Sequence, residues 1–364
     1  MKGKIAVGPG DGIGPEIIAE GVKILEAVSK KYGHDFELTY VDIGGVAIDK
    51  YGKSLPEETL RVCRGSDAIL FGAAGGPKWD YPGAKEYSNA AVLLIRKEFG
   101  LFANLRPVKV LATMANCSPV KPGIVSGVDL IVLRENTGGA YFGEPKKQWQ
   151  TDEGRMAVDS MLYSEKEIER IVRVGFELAQ SRHKKLCSVD KANVLLSSRL
   201  WRQIADELAP QYPDVELEHA YADACTMWLL RRPRDFDVLV MSNLFGDIIS
   251  DEASVLAGSL GMLPSAQIAG LRTGEGVMFG FYESSHGSAP KYAGKNVVNP
   301  IATILSVSMM LQYTYSLNQE ARCIEEAVEK TVRDYRTYDI MEEGKTKVGT
   351  KEMGDLIAEA IAVM

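Results

Sequence analysis

Short apolar runs alternate with amphipathic helical patterns along almost the whole chain of 364 residues. The apolar runs have the composition of strands and lie at 4–8, 36–44, 67–75, 128–136, 184–192, 215–223 and 236–243. Helical periodicity occupies other stretches, at 15–33, 164–182, 197–209 and 302–317. Alternation of this kind predicts an α/β fold with a largely parallel sheet.

Polar residues follow several of these strands at the point where each strand ends. Arg134 closes the run VDLIVLR, and Lys191 comes directly after LCSVD. The run FDVLVM is followed by the polar segment SNLFGD. Because ligands of open α/β sheets bind beyond the carboxyl ends of the strands, we expect these polar residues to line a binding site.

The first strand runs into GPGDGIGPE, in which Gly10, Gly12 and Gly14 continue an alternation of glycine with other residues. The stretch does not match G-x-G-x-x-G in either register, because Ile13 and Pro15 stand where the motif needs glycine. A strand-to-helix turn explains it locally, with Pro15 at the first helical position and Glu16 favourably placed on the helix dipole. The stretch therefore gives only weak support to a Rossmann dinucleotide site.

The bulk composition excludes several classes of protein. A net charge of −7 argues against nucleic acid as the main partner. No apolar run approaches the roughly 20 residues of a membrane span, and the apolar N-terminal run is too short for a signal peptide. The five cysteines are widely spaced without a C-x-x-C pair, which predicts reduced thiols, mostly in the core, of a cytoplasmic protein.

Several charged residues have two interpretations when each is taken alone. Asp247 and Asp251 are four residues apart, so on a helix they share a face and could hold Mg²⁺ or Mn²⁺, although acidic residues also favour the first turn of a helix. Arg96, Arg106 and Arg134 could bind carboxylates with their planar forks or form surface ion pairs.

A lysine and a loop add two more candidates. Lys191 stands just past a strand end, where burial could lower its pKa and make it a proton acceptor; an exposed lysine at a helix start is the alternative. The segment 283–300 is rich in Gly, Ser, Ala and Pro between apolar stretches, which favours a shaped loop over a loose connection. Within it, His286 could contact an adenine ring or a phosphate, or be an ordinary loop histidine.

Seven motifs in a fixed order closely resemble the β-decarboxylating dehydrogenases, the family of isocitrate and isopropylmalate dehydrogenases. They are GDGIGPE, GGPKWD, LFANLRP, RENTGGAYFGE, VDKANVL, SNLFGDIISDEA and HGSAP, and the resemblance runs from Ile5 to near the C-terminus. It implies a two-domain α/β fold with a continuous mixed sheet, which is not a Rossmann fold. Residues 1–101 plus 258–364 would form the first domain, which carries the dinucleotide-binding loop. Residues 102–257 would form the second, with the dimer interface and an arm at 135–151.

The resemblance also implies a reaction: oxidation and decarboxylation of a 2-hydroxy acid in a homodimer whose active sites are shared across the interface. Arg96, Arg106 and Arg134 would hold the carboxylates of the malate unit, and Tyr141 would be the acid that protonates the enol carbon. The second subunit would contribute the base and one metal ligand. The implied residues from that subunit are Lys191 and Asp223, and the other two ligands of Mg²⁺ or Mn²⁺ are Asp247 and Asp251.

For the dinucleotide, the resemblance implies a cradle of residues from several motifs. They are Ile13, Gly76, Asn89, Glu283, His286, Gly287, Ser288, Ala289, Pro290, Lys291, Tyr292, Asn299 and Asp339. NAD is the family default, but the pair Lys291–Tyr292 is similar to that of NADP-dependent isocitrate dehydrogenases, so we expect NADP to be accepted or preferred. Asn89 departs from the pattern, because the family usually has glutamate there.

The third substituent of the substrate distinguishes members of the family. Ala90 and Val92 stand where the resembling isocitrate dehydrogenases have serine and asparagine, so no donor is available for a further carboxylate. Val92, Leu93 and, from the second subunit, Val194 would form an apolar pocket that favours isopropylmalate, of leucine biosynthesis, over isocitrate or homoisocitrate. D-malate and tartrate remain alternative substrates. A non-catalytic paralogous subunit is disfavoured, because base, acid and metal ligands are all present.

Overall fold

The fold was analysed on a computed structural model that describes residues 1–271 and 276–364. The strands are β1 (Lys2–Gly10), β2 (Asp35–Tyr40), β3 (Ala68–Ala73), β4 (Ala103–Lys109), β5 (Asp129–Glu135), β6 (Lys147–Thr151), β7 (Gly154–Val158), β8 (Lys185–Asp190), β9 (Glu216–Tyr221), β10 (Val238–Met241), β11 (Pro264–Ile268), β12 (Gly280–Ser284), β13 (Tyr335–Arg336) and β14 (Thr346–Lys347).

The helices lie between these strands and at the C-terminus. They are α1 (Gly14–Tyr32), α2 (Gly45–Tyr51), α3 (Glu57–Arg64), α4 (Ala90–Glu98), α5 (Pro122–Val125), α6 (Glu165–Gln180), α7 (Leu196–Leu208), α8 (Ala222–Arg231), α9 (Asn243–Ser254), α10 (Ile301–Tyr313), α11 (Asn318–Thr331) and α12 (Thr350–Val363). All seven predicted strands and all four predicted helices are confirmed, with ends that differ by a few residues. Helix α10 ends earlier than predicted, at Tyr313, and Ser316 beyond it has a left-handed backbone that cannot continue a helix.

Ten strands form one continuous mixed sheet in the order β2-β1-β3-β12-β11-β4-β5-β10-β8-β9. The strands are parallel at both ends, from β2 to β12 and from β5 to β9. They are antiparallel in the middle, where β11 pairs with β12 and β4, and β4 pairs with β5. The predicted α/β fold with a continuous mixed sheet is therefore confirmed, and the expectation of a largely parallel sheet holds for the two flanks.

The three central antiparallel strands β4, β11 and β12 were not predicted from the apolar pattern. Their sequences are ANLRPVK, PSAQI and GFYES, and their buried positions include Asn104, Arg106 and Gln267. A strand whose buried side chains are polar, or that contains a proline, lacks the apolar signal that marks a core strand.

The predicted domain division follows the order of the strands in the sheet. Strands from 1–101 and 258–364 occupy the half from β2 to β11, and strands from 102–257 occupy the half from β4 to β9. One apolar core cluster includes side chains from both halves, such as Val7 on β1 and Val240 on β10. The boundary of the proposed domains thus falls between two paired strands.

Other features bear on earlier expectations. Four of the five cysteines are buried, Cys117 is partly exposed, and all five thiols are free, which agrees with their predicted place in the core. Strands β6 and β7 form a separate hairpin in which Trp149 pairs with Met156, and both side chains are exposed. Within the described ranges, no helix combines the length and the apolar character needed to cross a bilayer.

Candidate active site

Three arginines from three neighbouring elements reach one cavity of about 350 Å³. Arg96 lies in the last turn of α4, Arg106 on β4 and Arg134 on β5, and their residues are 6%, 4% and 1% exposed. This burial excludes the alternative of surface ion pairs. The remaining lining residues are Ala73, Ala74, Asn89, Val92, Leu93, Tyr141, Asp247, Glu283, Ser284, Ser285, His286 and Gly287.

Burial and mutual repulsion act on these guanidinium groups together. Burial and, next, the neighbouring Arg134 charge lower the pKa of Arg96 to about 9, and the Glu283 carboxylate opposes this shift. Burial also lowers the pKa of Arg106, with Arg134 again the next cause. Charges of one sign at close range in a buried cavity make it a strong site for a dianion.

A carboxylate and a phenol lie beside Arg134. The Tyr141 hydroxyl donates to Asp247 Oδ2 at 2.5 Å, and Asp247 also contacts the Arg134 guanidinium. Burial raises the pKa of Tyr141, and its hydrogen bond to Asp247 raises it further. Burial opposes ionisation of Asp247, but Arg134, Tyr141 and Arg106 outweigh it, so its pKa is lowered. The result is a carboxylate that stays ionised beside a phenol that stays protonated.

The predicted metal ligands Asp247 and Asp251 project from α9, which begins at Asn243. Both lie beyond its first turn, so the alternative of helix-start acids does not account for them. Asp251 Oδ1 lies 3.5 Å from Arg106, and burial together with the Asp247 charge helps to raise its pKa. Two carboxylates on one face have the oxygen donors that Mg²⁺ and Mn²⁺ prefer. No group of three metal-ligating side chains exists among the described residues.

Three other predicted site residues do not line the cavity. Lys191 follows β8 as predicted, and its ammonium lies 2.7 Å from the Asp223 carboxylate in the first turn of α8. The ion pair lowers the pKa of Asp223. Val194 is 62% exposed. Lys191, Asp223 and Val194 therefore lie outside the cavity formed by this chain, as residues that serve a second copy would.

The glycine-rich turn after β1 packs against the predicted cofactor loop. The Ile13 amide donates to the Ser288 carbonyl at 2.9 Å, and a Cβ on Gly12 would lie 2.1 Å from that oxygen. Gly12 has φ of +59°, which also requires glycine. Ser288 Oγ donates to the Gly75 carbonyl at 2.8 Å. Three segments distant in sequence thus meet here, so closely that a side chain at position 12 would collide with the Ser288 carbonyl.

The rest of the predicted cofactor loop is ordered around that contact. Pro290, Lys291 and Tyr292 form one short 3₁₀ turn, preceded by Ala289 in the left-handed region. Lys291 Nζ lies 4.7 Å from the centre of the Tyr292 ring, and Tyr338 packs against the same ring. The exposed lysine and its aromatic neighbours are available to a negatively charged group.

Other predicted cofactor residues lie around the cradle or the cavity. Asn299 donates to the Asp339 carboxylate at 3.2 Å, and Gly76 donates to Asp80 at 2.9 Å. His286 lines the cavity, and burial lowers its pKa, opposed by its hydrogen bond to the Gly287 carbonyl. Asn89 also lines the cavity, immediately before α4.

Glu283 takes a position that the motif did not indicate. It accepts a hydrogen bond from Gln267 at 2.5 Å and lies 3.8 Å from Arg96, so in this structure it belongs to the arginine cavity. Burial raises its pKa, opposed first by Arg96.

Sequence reasoning missed three buried amides that contact the arginines: Asn104, Asn243 and Gln267. The first two lie inside the motifs LFANLRP and SNLFGD, where a polar residue beside a site residue is a usable signal. Gln267 lies on the unpredicted strand β11 and carried no signal.

Comparison with known proteins identifies relatives of this chain. The family profile described as isocitrate/isopropylmalate dehydrogenase matches residues 4–357. A 3-isopropylmalate dehydrogenase of Dehalococcoides mccartyi is 57% identical over 99% of this chain and 100% of that protein. One from Carboxydothermus hydrogenoformans is 55% identical over 98% and 94%.

A solved structure gives the same result at lower identity. The crystal structure of isocitrate dehydrogenase from Methylococcus capsulatus has a TM-score of 0.85 at 33% identity and covers 99% of both chains. Sequence and architecture agree over nearly the full length. The chain therefore belongs to the isocitrate/isopropylmalate dehydrogenase family.

Proposed function

We propose that this protein catalyses the oxidative decarboxylation of 3-isopropylmalate to 4-methyl-2-oxopentanoate, a reaction of leucine biosynthesis, with reduction of NAD or NADP. The observation that carries the proposal is the cavity, where three buried arginines stand beside an apolar wall of Val92 and Leu93. The arginines suit two carboxylates and the wall suits a branched alkyl group. The names of the relatives at 57% and 55% identity support the same substrate.

The apolar wall is the argument against isocitrate. An additional carboxylate against Val92 and Leu93 would lose water without gaining a donor, which costs several kcal/mol. An isopropyl group in the same place gains about 2 kcal/mol, at about 0.8 kcal/mol per carbon. Isocitrate dehydrogenases can share this architecture at 33% identity, so the wall rather than the fold decides the substrate.

The chemistry is divided between two copies of the chain in this proposal. Lys191 of a second copy takes the proton of the C2 hydroxyl, and Tyr141 later donates a proton to the carbon that has lost CO₂. Asp247, Asp251 and Asp223 of the second copy would hold the metal. When bound, the dinucleotide would supply a hydride acceptor and the divalent cation would supply a Lewis acid. The three arginines fix the two carboxylates throughout.

Exposed apolar side chains support the homodimer. Helices α8 and α9 pack against each other and leave Met227, Leu230 and Ile248 exposed. The hairpin β6–β7 adds exposed Trp149 and Met156. Large exposed apolar side chains are typical of protein interfaces. A partner on this face would also supply what the cavity lacks, a base and a further metal ligand.

For the cofactor we propose that NADP is accepted or preferred over NAD. Lys291 is exposed in the loop beside the glycine-rich cradle, and its ammonium would attract a 2′-phosphate, where an aspartate would repel it. A charge-assisted hydrogen bond changes affinity by about tenfold to a hundredfold. A cytoplasmic location is also proposed, supported by five free thiols.

The proposal is tested by steady-state kcat/KM for 3-isopropylmalate with Mg²⁺, using NAD and NADP in parallel. Isocitrate, D-malate and tartrate are assayed beside it. Preference for 3-isopropylmalate supports the assignment, and an NADP advantage supports the role of Lys291. Preference for D-malate or tartrate would replace the substrate, and no turnover of any acid would favour a non-catalytic subunit.

A further inference from the structure

Each of the three cavity arginines directs its Nε atom at the side-chain oxygen of a buried neutral amide. Arg96 Nε lies 2.8 Å from Gln267 Oε1. Arg106 Nε lies 3.1 Å from Asn104 Oδ1, and its Nη1 donates to the Ser250 hydroxyl at 2.6 Å. The amide residues are fully buried, so these bonds form away from solvent.

The third arginine has the same arrangement. Asn243 Oδ1 accepts from Arg134 Nε at 3.0 Å and from Nη2 at 2.7 Å. The same type of partner thus recurs on three different elements, β4, α9 and β11, which are unrelated in local sequence. Independent recurrence at three arginines of one cavity indicates a shared requirement.

The orientation of the amides is determined from both sides. A guanidinium has only donors, so the amide oxygen must face it. Each amide nitrogen has its own acceptor. The distances are 3.0 Å from Asn104 to Ser265 Oγ, 3.1 Å from Asn243 to the Gly138 carbonyl and 2.5 Å from Gln267 to Glu283. The oxygen therefore cannot rotate away without breaking two contacts.

A neutral acceptor differs from a carboxylate in the charge that it adds to the cavity, which affects how strongly an anionic substrate binds. Both fix the plane of the guanidinium fork, and a carboxylate would form the stronger bond. Asp247, Asp251 and Glu283 already offset part of the positive charge of the arginines. A carboxylate in place of an amide would cancel more of the charge that attracts an anion. At Asn104, whose amide nitrogen contacts a hydroxyl that can donate instead, an isosteric carboxylate would satisfy the buried donors equally well.

We propose that Gln267, Asn104 and Asn243 are positioning residues that aim the three arginine forks while leaving their charge for a dicarboxylate substrate. The inference rests on the proposed function in one respect, that the arginines bind the carboxylates. It deepens that function by naming the buried residues that set the affinity of the site for a dianion.

Asn104→Asp is the sharpest test, because the Ser265 hydroxyl that accepts from Asn104 can donate to a carboxylate instead. The substitution adds one charge with little change of shape. We expect KM for 3-isopropylmalate to rise by at least about tenfold, since uniform binding is lost, while kcat stays within about threefold. The melting temperature and the KM for the dinucleotide should remain close to those of the wild type.

Two further variants control the experiment. Gln319→Glu makes the same chemical change at an exposed position in the first turn of α11 and should behave as the wild type. Asn243→Asp repeats the charge addition at Arg134 and replaces the first variant if that one does not fold. A wild-type KM in a folded Asn104→Asp protein would overturn the inference. A rise in KM accompanied by a fall in both kcat and melting temperature would also overturn it, because that combination indicates a structural role.

A binding measurement separates this inference from the proposed function. Stabilisation against heating by D-malate with Mg²⁺ is compared between the wild type and Asn104→Asp. If the wild type does not turn over 3-isopropylmalate but D-malate stabilises it, and stabilises Asn104→Asp less, the proposed substrate is refuted and the inference stands. The inference is refuted if D-malate stabilises both proteins equally. It is also refuted if neither D-malate nor 3-isopropylmalate stabilises the wild type.

Discussion

The arginine cavity and the Lys191–Asp223 pair contain residues predicted for one reaction, yet the fold treats them differently. Inside the cavity, Tyr141 and Arg134 already contact Asp247. Outside it, Lys191 and Asp223 neutralise each other at 2.7 Å. The contrast supports the proposal above, in which one chain assembles the anion-binding half of the site and another chain contributes the proton-accepting half.

Subunit complementation gives the largest expected effect. Lys191→Ala and Asp247→Asn should each reduce kcat by about 10³–10⁴-fold, since each removes an essential group. After the two inactive proteins are mixed and allowed to exchange subunits, half of the dimers each contain one intact site, so about a quarter of wild-type activity should return.

The matched control is Lys185→Ala, which removes an exposed lysine at the start of the same strand, β8. It should leave activity unchanged. Recovery of no activity in the mixed sample, despite demonstrated exchange, would mean that the two halves meet within one chain after all. The Lys191–Asp223 pair and the arginine cavity would then belong to one site of a single chain.

Tyr141→Phe tests the self-contained half. We expect kcat to fall by about 10²–10³-fold, because the proton donor to carbon is removed, while substrate still stabilises the protein against heating. Tyr40→Phe, on exposed β2, serves as the control. Unchanged kcat for Tyr141→Phe would assign the protonation to another group.

The pH profile sharpens the same point. Because burial and Asp247 raise the pKa of Tyr141 above its ordinary value of about 10, the phenol should keep its proton throughout the neutral and mildly alkaline range. Loss of that proton lies above the ordinary pKa, so kcat should show no decline attributable to Tyr141 below about pH 10. An alkaline decline near pH 8 that disappears in a partly active Tyr141 variant would contradict the direction of this shift.

Lys291→Asp addresses the cofactor loop that borders the cavity. We expect kcat/KM for NADP to fall by about tenfold to a hundredfold, with a much smaller change for NAD, because only NADP has the 2′-phosphate. Lys295→Asp changes the charge four residues further along the same loop and is the control. Equal losses with both dinucleotides would remove Lys291 from phosphate recognition.

Val92→Asn gives the smallest expected effect. A polar group on the apolar wall should lower kcat/KM for 3-isopropylmalate by about tenfold, in the range of a lost methylene contact, and improve the relative rate with isocitrate. Leu94→Asn, exposed on the same helix and outside the cavity, should have no effect. Identical specificity in both variants would mean that the substituent binds elsewhere.

The sequence was informative where burial is apolar and silent where it is polar. The flanking strands carry Val, Ile and Leu and could be predicted from that pattern, as could the helices between them. Strands β4, β11 and β12 bury Asn104, Arg106, Gln267 and Glu283, whose cost is met by bonds to one another across the sheet. The bonds of Asn104 to Ser265 and of Gln267 to Glu283 join different strands, so no local pattern reveals them.

The roles of the site residues stay a prediction, but the structure bears on how these residues are grouped. The motifs indicated the arginines, Tyr141 and the carboxylates, and the structure brings the arginines, Tyr141 and Asp247 together around one cavity. The resemblance already assigns Lys191 to a second subunit, and in the structure Lys191 does not line the cavity. Glu283 was predicted to bind the cofactor but lies near Arg96, a position that depends on the antiparallel pairing of β11 and β12.

The continuous sheet has a thermodynamic consequence for the two halves of the chain. Neighbouring strands are hydrogen-bonded from β2 to β9, and one apolar cluster takes side chains from both halves. Neither half can lose its strands without exposing backbone groups and apolar surface of the other. The two halves should therefore melt as a single cooperative unit, with calorimetric and van't Hoff enthalpies that agree for each chain.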